Sequence, residues 1–290
     1  MKTPQKDVAE ERKYVYNSKY TGRSGSMEGK PVKKAVYIIG TILFSLLVLF
    51  CGYEMVAARI ASQEAENAYG GLAEKVGAKT DTEEMSEVIA EAIAQNQYPP
   101  LEIDMDALKE MNEDFRGWLY FPALDISYPI VQGEDNNYYL KHSFEGERMG
   151  AGCIFMDCGA SPDWSDRNTF VFGHNMRDES MFGSFKRLMA DPTLCQVNTC
   201  FYIYTKDYVY TYEIFAFYET KSTSDRYMTF TSDENYDLYV KWAVEHSEYQ
   251  SEADLSERGN IVSLSTCYGS AGTSRRMIIH GTLTATENYE

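Results

Sequence analysis

The stretch from Ala35 to Tyr53 contains no charged residue and is apolar at nearly every position. As a helix of about 1.5 Å per residue it is roughly 28 Å long, close to the thickness of the hydrocarbon core of a bilayer. A helix packed on a soluble domain is apolar on one face only, so this pattern favours a transmembrane helix. A cleavable signal peptide is the alternative, given Ala61-Ser62, but the long preceding region and Glu54 favour an uncleaved anchor over residues 35–53.

The charges on either side of this stretch predict its orientation. Residues 1–34 hold nine Lys or Arg and four Asp or Glu, and Lys33 and Lys34 adjoin the span. Basic flanks stay on the cytoplasmic side, so we predict a cytoplasmic basic tail at 1–34 and an extracellular remainder. The whole chain has a net charge of −17, and removing the +5 of the tail (9 − 4) leaves −22 for the rest. That charge argues against a nucleic-acid partner held by basic contacts.

Residues 54–100 are rich in Ala and Glu and predict an extracellular helical stalk. Good helix formers run from Asp81 to Ala94, with apolar residues at helical spacing, and Pro99-Pro100 ends the helix. A helix packed on the following domain and a solvated spacer both fit this pattern.

From Trp118 onward the pattern changes to short β-rich runs. The runs before the last two strands are Trp118 to Phe121, Ile126 to Val131, Gly152 to Met156, Thr169 to Phe172, Thr199 to Thr205 and Tyr208 to Glu219. This succession predicts a mainly β fold, a closed barrel with peripheral helices. The aromatic run Phe201–Tyr218 is broken at Lys206-Asp207 and predicts a hairpin. Ser232 starts a helical pattern that ends at His246.

Three strand ends carry reactive side chains. The run Ile261–Cys267 is a predicted strand that ends on a cysteine, and Arg275-Arg276 precede a second apolar run, Met277–Leu283. Upstream, Asn168–Phe172 is followed by a glycine and then by His174. The predicted fold therefore delivers a thiol, a guanidinium and an imidazole from strand ends.

These three groups suit acyl transfer by a cysteine. A thiolate is the nucleophile in such reactions, and a neighbouring cation makes Cys267 easier to ionise. Attack on an amide creates an oxyanion, which the rigid, permanently charged fork of Arg276 can stabilise. His174 is the candidate that protonates the leaving amine and later accepts a proton from the attacking amine. A backbone N–H near Thr266 is expected to complete the oxyanion site.

Four motifs extend this pattern across roughly residues 101–290. They are Gly173-His174-Asn175-Met176 followed by Met181-Phe182, Leu264-Ser265-Thr266-Cys267, Arg276 before an apolar strand, and Tyr128-Pro129-Ile130-Val131-Gln132 with Asp135-Asn136 and Tyr138-Tyr139-Leu140. In this order and with these loop lengths, the chain resembles a sortase, the membrane-anchored cysteine transpeptidase of Gram-positive cell surfaces, and most closely class B.

The resemblance implies a catalytic domain over 101–290 in which Cys267 attacks the carbonyl after a threonine in a C-terminal sorting motif. An amine of a peptidoglycan precursor would then resolve the acyl-enzyme and anchor a surface protein to the wall. A lysine of a pilin is the alternative acceptor. The residues expected to contact the substrate are Thr266, Tyr268, Ser265 and Asn175.

The resemblance also bears on the arginine and on the helix. Adjacent strand residues point to opposite faces, so only Arg275 or Arg276 can reach the thiol. We favour Arg276, because in the family the arginine directly precedes the apolar strand. The helix over 232–246 would form one wall of the peptide groove, or merely cover the barrel, and Ser222–Thr229 would help to select the motif.

The remaining histidines and cysteines have plainer interpretations. His142, His246 and His280 are expected to be ordinary histidines without a catalytic role, because none of them follows a glycine at a strand exit as His174 does. Four cysteines could form disulfides outside the cell, in three possible pairings: Cys153, Cys158, Cys195 and Cys200. A zinc site is the other option, but the sequence has no Cys-x-x-Cys pair to bind the metal. No metal or organic cofactor is expected.

Two other classes of protein remain as alternatives. A hydrolytic cysteine protease would use the same cysteine and histidine, with water in place of the amine. A surface protein that serves as a substrate would carry a sorting motif, an apolar span and a basic tail at its end. The sequence closes on Thr284–Glu290 with none of these, which favours the enzyme.

Overall fold

The structure is a computed structural model that describes residues 31–78, 83–95, 97–269 and 272–289. The chain divides into two units, Met1–Gly52 and Tyr53–Glu290. Residues 1–30 of the predicted cytoplasmic tail lie outside the described residues, and so do 79–82 of the predicted stalk.

The first helix contains the predicted membrane span. Helix α1 runs from Pro31 to Lys75. It is long and apolar enough to cross a membrane, with a mean hydropathy of 2.4 in its most apolar window, and none of that window is buried. The apolar side chains of residues 36–50 are exposed, because none of the residues that the structure describes covers them.

The second unit is built around a closed barrel. Its strand order is β1-β2-β3-β4-β7-β8-β6-β5, with parallel pairs at β2/β3 and β4/β7 and antiparallel pairs elsewhere. The strands are β1 Phe115–Phe121, β2 Ile126–Val131, β3 Ile154–Met156, β4 Asn168–Phe172, β5 Cys200–Tyr204, β6 Tyr208–Lys221, β7 Ile261–Cys267 and β8 Arg275–Asn288. The predicted closed β-barrel with peripheral helices is confirmed.

Five further α-helices surround the barrel in the described residues. They are α2 Glu83–Ala94, α3 Met105–Met111, α4 Phe185–Ala190, α5 Leu194–Val197 and α6 Asp233–Glu245. The side chain of Ser232 accepts the N–H of Asn235 at 3.3 Å and caps α6, as the sequence predicts. The short helices α3, α4 and α5 escape sequence analysis, because each has at most two turns of apolar periodicity.

The end of α1 packs on the barrel. Its residues Tyr69, Leu72 and Val76 are buried in the core. The Tyr69 hydroxyl donates to the carbonyl of Gly152 at 2.5 Å, and its ring meets the Tyr128 ring edge-on at 5.4 Å. This segment of the predicted stalk therefore behaves as a packed helix, the first of the two alternatives that its sequence leaves open.

The two faces of β7 enter different parts of the core. Val262 and Leu264 belong to the main cluster, whereas Ile261 belongs to a smaller cluster that also contains Tyr236 and Tyr239 of α6. Alternate residues of a strand point to opposite faces, so Ser263, Ser265 and Cys267 share the face of Ile261. Helix α6 therefore lies over the face of β7 on which the cysteine stands.

Strand β8 is longer than the sequence predicts. It begins at Arg275 and ends at Asn288, because β6 pairs with it over its whole length, from Tyr208↔Asn288 to Lys221↔Arg275. This extension places both arginines inside a strand, where alternation decides which of them faces Cys267.

Candidate active site

Cys267 and Arg276 stand directly opposite each other at the end of the β7/β8 ladder. Directly opposed residues of an antiparallel pair project from the same face, so the guanidinium and the thiol share one side of the sheet. Both residues are partly exposed. The register therefore brings together the two groups that the sequence predicts at adjacent strand ends.

Arg275 has a different environment. It forms a bidentate ion pair with Glu219 of β6, and its guanidinium lies 4.8 Å from the ring centre of Tyr268. The Glu219 carboxylate raises the pKa of Arg275, and Arg275 in turn lowers the pKa of Glu219. Arg275 is thus bound to the neighbouring strand, whereas Arg276 shares the face of Cys267.

The Arg276 guanidinium is held by backbone oxygens. Its Nη1 donates to the carbonyls of Thr273 and Arg275, both at 2.9 Å. No acceptor within the described ranges binds its other N–H groups, so these can donate to a substrate. A fixed fork of this kind is preorganised to stabilise an oxyanion.

His174 is positioned by the end of β4. Gly173 donates its N–H to the Ser265 carbonyl at 3.2 Å and accepts the Thr266 hydroxyl at 2.8 Å. A Cβ on residue 173 would lie 2.5 Å from Ile154 Cδ1 and 2.8 Å from the Phe182 ring, so only glycine fits without displacement. This close approach explains why a glycine precedes the histidine.

The tautomer of His174 follows from its partner. His174 Nε2 lies 2.8 Å from the carbonyl oxygen of Leu140. A carbonyl can only accept, so Nε2 carries a proton and Nδ1 is left to exchange one with a substrate. The contact fixes the ring and assigns the two nitrogens different tasks.

A cleft of about 800 Å³ contains the histidine and the cysteine. Its lining residues are His174, Asn175, Met176, Arg177, Lys186, Cys267, Tyr268, Gly269, Gly272 and Arg275. Of the residues expected to contact the substrate, Asn175 and Tyr268 line this cleft. Thr266 is buried, with its hydroxyl bound to Gly173, and Ser265 faces the α6 side.

Tyr227 lies in the segment Ser222–Thr229 that is expected to help select the motif, but sequence analysis did not single it out. Its hydroxyl shares a hydrogen bond of 2.8 Å with Ser265 Oγ. Burial raises the pKa of Tyr227, the Ser265 hydrogen bond and the Arg276 charge oppose that rise, and Cys267 adds to it. Tyr227 therefore binds the face of β7 that also carries Cys267, and a tyrosine in a polar loop gives no signal of this contact in sequence.

The match to known proteins decides the family. The family model described as "Sortase domain" matches residues 119–284, which is more than half of the chain. The chain belongs to the sortase family. Sortases are cysteine transpeptidases that sort proteins to the cell wall, and the resemblance identified from sequence motifs is confirmed.

Relatives of this sortase are of class B. Sortase B of Listeria monocytogenes is 35% identical over 180 residues, which cover 61% of this chain and 72% of the relative. The solved sortase B of Bacillus anthracis has 30% identity and a TM-score of 0.62, covering 78% of this chain and 98% of that one. Sortase B of Clostridium perfringens has 30% identity and a TM-score of 0.58, covering 62% and 99%.

The six cysteines of this sortase are free thiols. Cys153 and Cys195 are fully buried, and burial raises the pKa of each thiol to about 12. Cys158 is exposed and Cys200 is half-buried. Because all four of these cysteines are free, none of the disulfides that the sequence allows is formed. Within the described ranges, no group of three or more His, Cys, Asp or Glu side chains is arranged to bind a metal ion.

Proposed function

We propose that this sortase cleaves a sorting motif after threonine through Cys267, His174 and Arg276, and transfers the acyl group to an amine of peptidoglycan or its precursor. The observation that carries the proposal is the arrangement around Cys267. Arg276 lies opposite it in the β7/β8 register, and His174 lines the same cleft.

The reaction can be written atom by atom. The Cys267 thiolate attacks the threonine carbonyl carbon, and the Arg276 N–H groups stabilise the oxyanion that forms. Protonated Nδ1 of His174 donates its proton to the leaving amine as the C–N bond breaks, which yields a thioester. The acceptor amine then attacks the thioester, gives a proton to Nδ1, and the new amide forms as the thiolate departs. A backbone N–H near Thr266 as second oxyanion donor stays a prediction.

The membrane topology is part of the proposal. Residues 35–53 anchor the chain, 1–34 remain cytoplasmic, and 54–100 connect the anchor to an extracellular catalytic domain at 101–290. The apolar, uncovered helix and its basic flank support this orientation. The partners are then surface proteins with a C-terminal sorting motif, a wall amine and the lipid bilayer.

The experiment uses the full-length chain in detergent with fluorogenic peptides of the Asn-Pro-x-Thr and Leu-Pro-x-Thr-Gly types, with and without an amine acceptor. Cleavage after threonine, loss of cleavage in Cys267→Ala and transfer of the product to the amine would establish the transpeptidase and identify its motif. Cleavage that ignores the amine would indicate a hydrolytic protease, and transfer only to a pilin lysine would indicate pilus assembly. If no peptide of the panel forms a thioester with the protein, the proposal is refuted.

A further inference from the structure

The loop that joins β6 to α6, residues 222–232, has no regular secondary structure of its own, yet it brings the Tyr227 hydroxyl to Ser265, two residues before Cys267 on the same face of β7. We propose that Asn168 and Tyr239 are positioning residues that hold Tyr227 in place by binding the two backbone carbonyls on either side of it. The inference rests on the proposed function, because it concerns the substrate side of the same site.

Two buried side chains make the contacts. Asn168 Nδ2 donates to the carbonyl of Met228 at 2.9 Å, and the Tyr239 hydroxyl donates to the carbonyl of Arg226 at 3.0 Å. Asn168 is 3% exposed and Tyr239 is 2% exposed. A buried donor that loses its acceptor is costly, so each side chain holds its carbonyl against outward movement of the loop.

Asn168 is itself oriented by a chain of hydrogen bonds. The Ser263 hydroxyl donates to Asn168 Oδ1 at 2.6 Å. Ser263 has a single proton, so the 2.7 Å contact between Ser263 Oγ and His280 Nδ1 requires that His280 donate from Nδ1. His280 Nε2 then carries no proton and accepts a hydrogen bond of 2.8 Å from the Tyr218 hydroxyl.

This chain has one direction, from Tyr218 through His280, Ser263 and Asn168 to the Met228 carbonyl. A neutral imidazole with its proton on Nδ1 is what the chain needs, and burial lowers the pKa of His280 to about 3. The amide of Asn168 therefore has one orientation, with oxygen towards Ser263 and nitrogen towards the loop. Strands β4, β7 and β8 are thereby connected to the loop that carries Tyr227.

Other contacts of the loop involve its side chains. The Arg226 guanidinium lies 4.4 Å from the centre of the Trp242 ring and pairs with Asp225, and Phe230 is buried under α6. These side chains bind α6 and the loop surface. The Asn168 and Tyr239 contacts differ because they act on the peptide groups that flank Tyr227.

Helix α6 offers a matched control. Tyr236 lies one turn before Tyr239, is also buried, and donates its hydroxyl to a backbone carbonyl at 2.9 Å. Its acceptor is Gly259, before β7, and not the loop. Tyr236→Phe and Tyr239→Phe each remove one buried hydroxyl from the same helix, and of the two only Tyr239→Phe removes a hydrogen bond to the loop.

The experiment compares Tyr239→Phe, Asn168→Ala and Tyr236→Phe in the full-length chain in detergent. Hydrogen–deuterium exchange of residues 222–231 should become about fivefold faster in the first two variants and stay unchanged in Tyr236→Phe, because one net hydrogen bond corresponds to roughly that factor. The KM for the sorting peptide should rise about fivefold in the same two variants, with kcat within twofold of the unmodified chain.

Two results would overturn the inference: unchanged exchange in Tyr239→Phe, or an equal increase in Tyr236→Phe, which would indicate general loosening of α6. Tyr239→Phe keeps the ring and its packing, so it decides the question even where Asn168→Ala does not fold. If the unmodified chain cleaves no peptide, the proposed function fails, while the exchange measurement still tests whether Asn168 and Tyr239 hold the loop.

Discussion

Strands β7 and β8 present two polar pairs on one face, and the pairs have opposite environments. At the open end, Cys267 lines the cleft and faces Arg276 across the ladder, and both residues are partly exposed. At the sealed end, Ser263 faces His280, and both are completely buried. The Tyr239 ring of α6 meets the His280 ring edge-on at 5.5 Å.

The difference shows that coverage decides what polar strand residues can do. At the sealed end each polar atom has a protein partner, so the imidazole is neutral and acts only as a fixed link in a hydrogen-bond chain. At the open end, N–H groups of Arg276 have no acceptor among the described residues, and the thiol borders a cleft. Helix α6 makes this division because it covers one end of the face and stops short of the other.

The largest expected effect is at the open end. Cys267→Ala should lower transpeptidation by about 10⁴-fold or more, because the nucleophile is lost and no other group can form the thioester. The denaturation midpoint should hardly change, since the side chain is partly exposed at a strand end. Peptide cleavage and intact-mass detection of the thioester check this.

Cys158→Ala is the matched control for that variant. It removes an exposed thiol that does not line the cleft, so activity should be unchanged. Retention of thioester formation in Cys267→Ala would mean that the open end is not the reactive end.

The second effect separates the two neighbouring arginines. Arg276→Gln should lower kcat/KM by about 10²–10³-fold, the loss typical of a removed oxyanion donor. Arg275→Gln should lower it by less than about tenfold: Arg275 also lines the cleft, but its guanidinium is already paired with Glu219, whereas Arg276 stands opposite Cys267 in the ladder. Measuring kcat/KM for both with one peptide is sufficient, and the reverse order would assign Arg275 to the thiol.

Sequence patterns located the open end well. A cysteine and a histidine at strand exits are visible as motifs. Alternation allows only one of the neighbours Arg275 and Arg276 to reach the thiol; the family resemblance favours Arg276, and the β8 register places Arg276 opposite Cys267. The barrel was equally accessible, because its strands are short apolar runs separated by turns. These features depend on local pattern, which a single sequence contains.

The sealed end was not accessible in the same way. His280 was expected to be ordinary, yet its partners Tyr218 and Ser263 come from two other strands, and Asn168 comes from a fourth. Contacts between residues 17 to 95 positions apart leave no periodic signal. The contact of Tyr227 with Ser265 escaped for the same reason, because only the folded loop brings the two residues together.

The third effect is a pH dependence of stability at the sealed end. Burial lowers the pKa of His280 to about 3, whereas a histidine in an unfolded chain titrates near about 6.5. Between these values the unfolded state binds a proton and the folded state does not. Stability is therefore fully present above about pH 6.5 and decreases as the pH falls towards 3, by about 3 kcal/mol between pH 7 and pH 4.

His280→Gln isolates this contribution. Carboxylates titrate in both proteins, so the difference between their pH–stability curves reports the imidazole alone. Urea denaturation of the full-length chain in detergent at pH 7, 5.5 and 4 should give a flatter curve for the variant. Parallel pH–stability curves for the two proteins would show that His280 binds a proton in the folded state as readily as in the unfolded state. The contrast between the sealed end and the open end would then fail.

The smallest effect concerns Ser265, which lies between the two ends on the same face of β7. The Ser265 side chain, two residues before Cys267 on the same strand, is buried like those of the sealed end, and its hydroxyl bonds Tyr227 at 2.8 Å. In a double-mutant cycle with Ser265→Ala and Tyr227→Phe, the free energies of unfolding should show a coupling of about 1 kcal/mol. Ser265→Ala combined with Tyr236→Phe should be additive, because these two hydroxyls have different partners.

Additivity in the first cycle as well would mean that the Tyr227 contact contributes nothing to stability. Ser265 would then resemble the open end, where polar groups add little to stability. The change from the sealed end to the open end of the face would lie between Ser263 and Ser265.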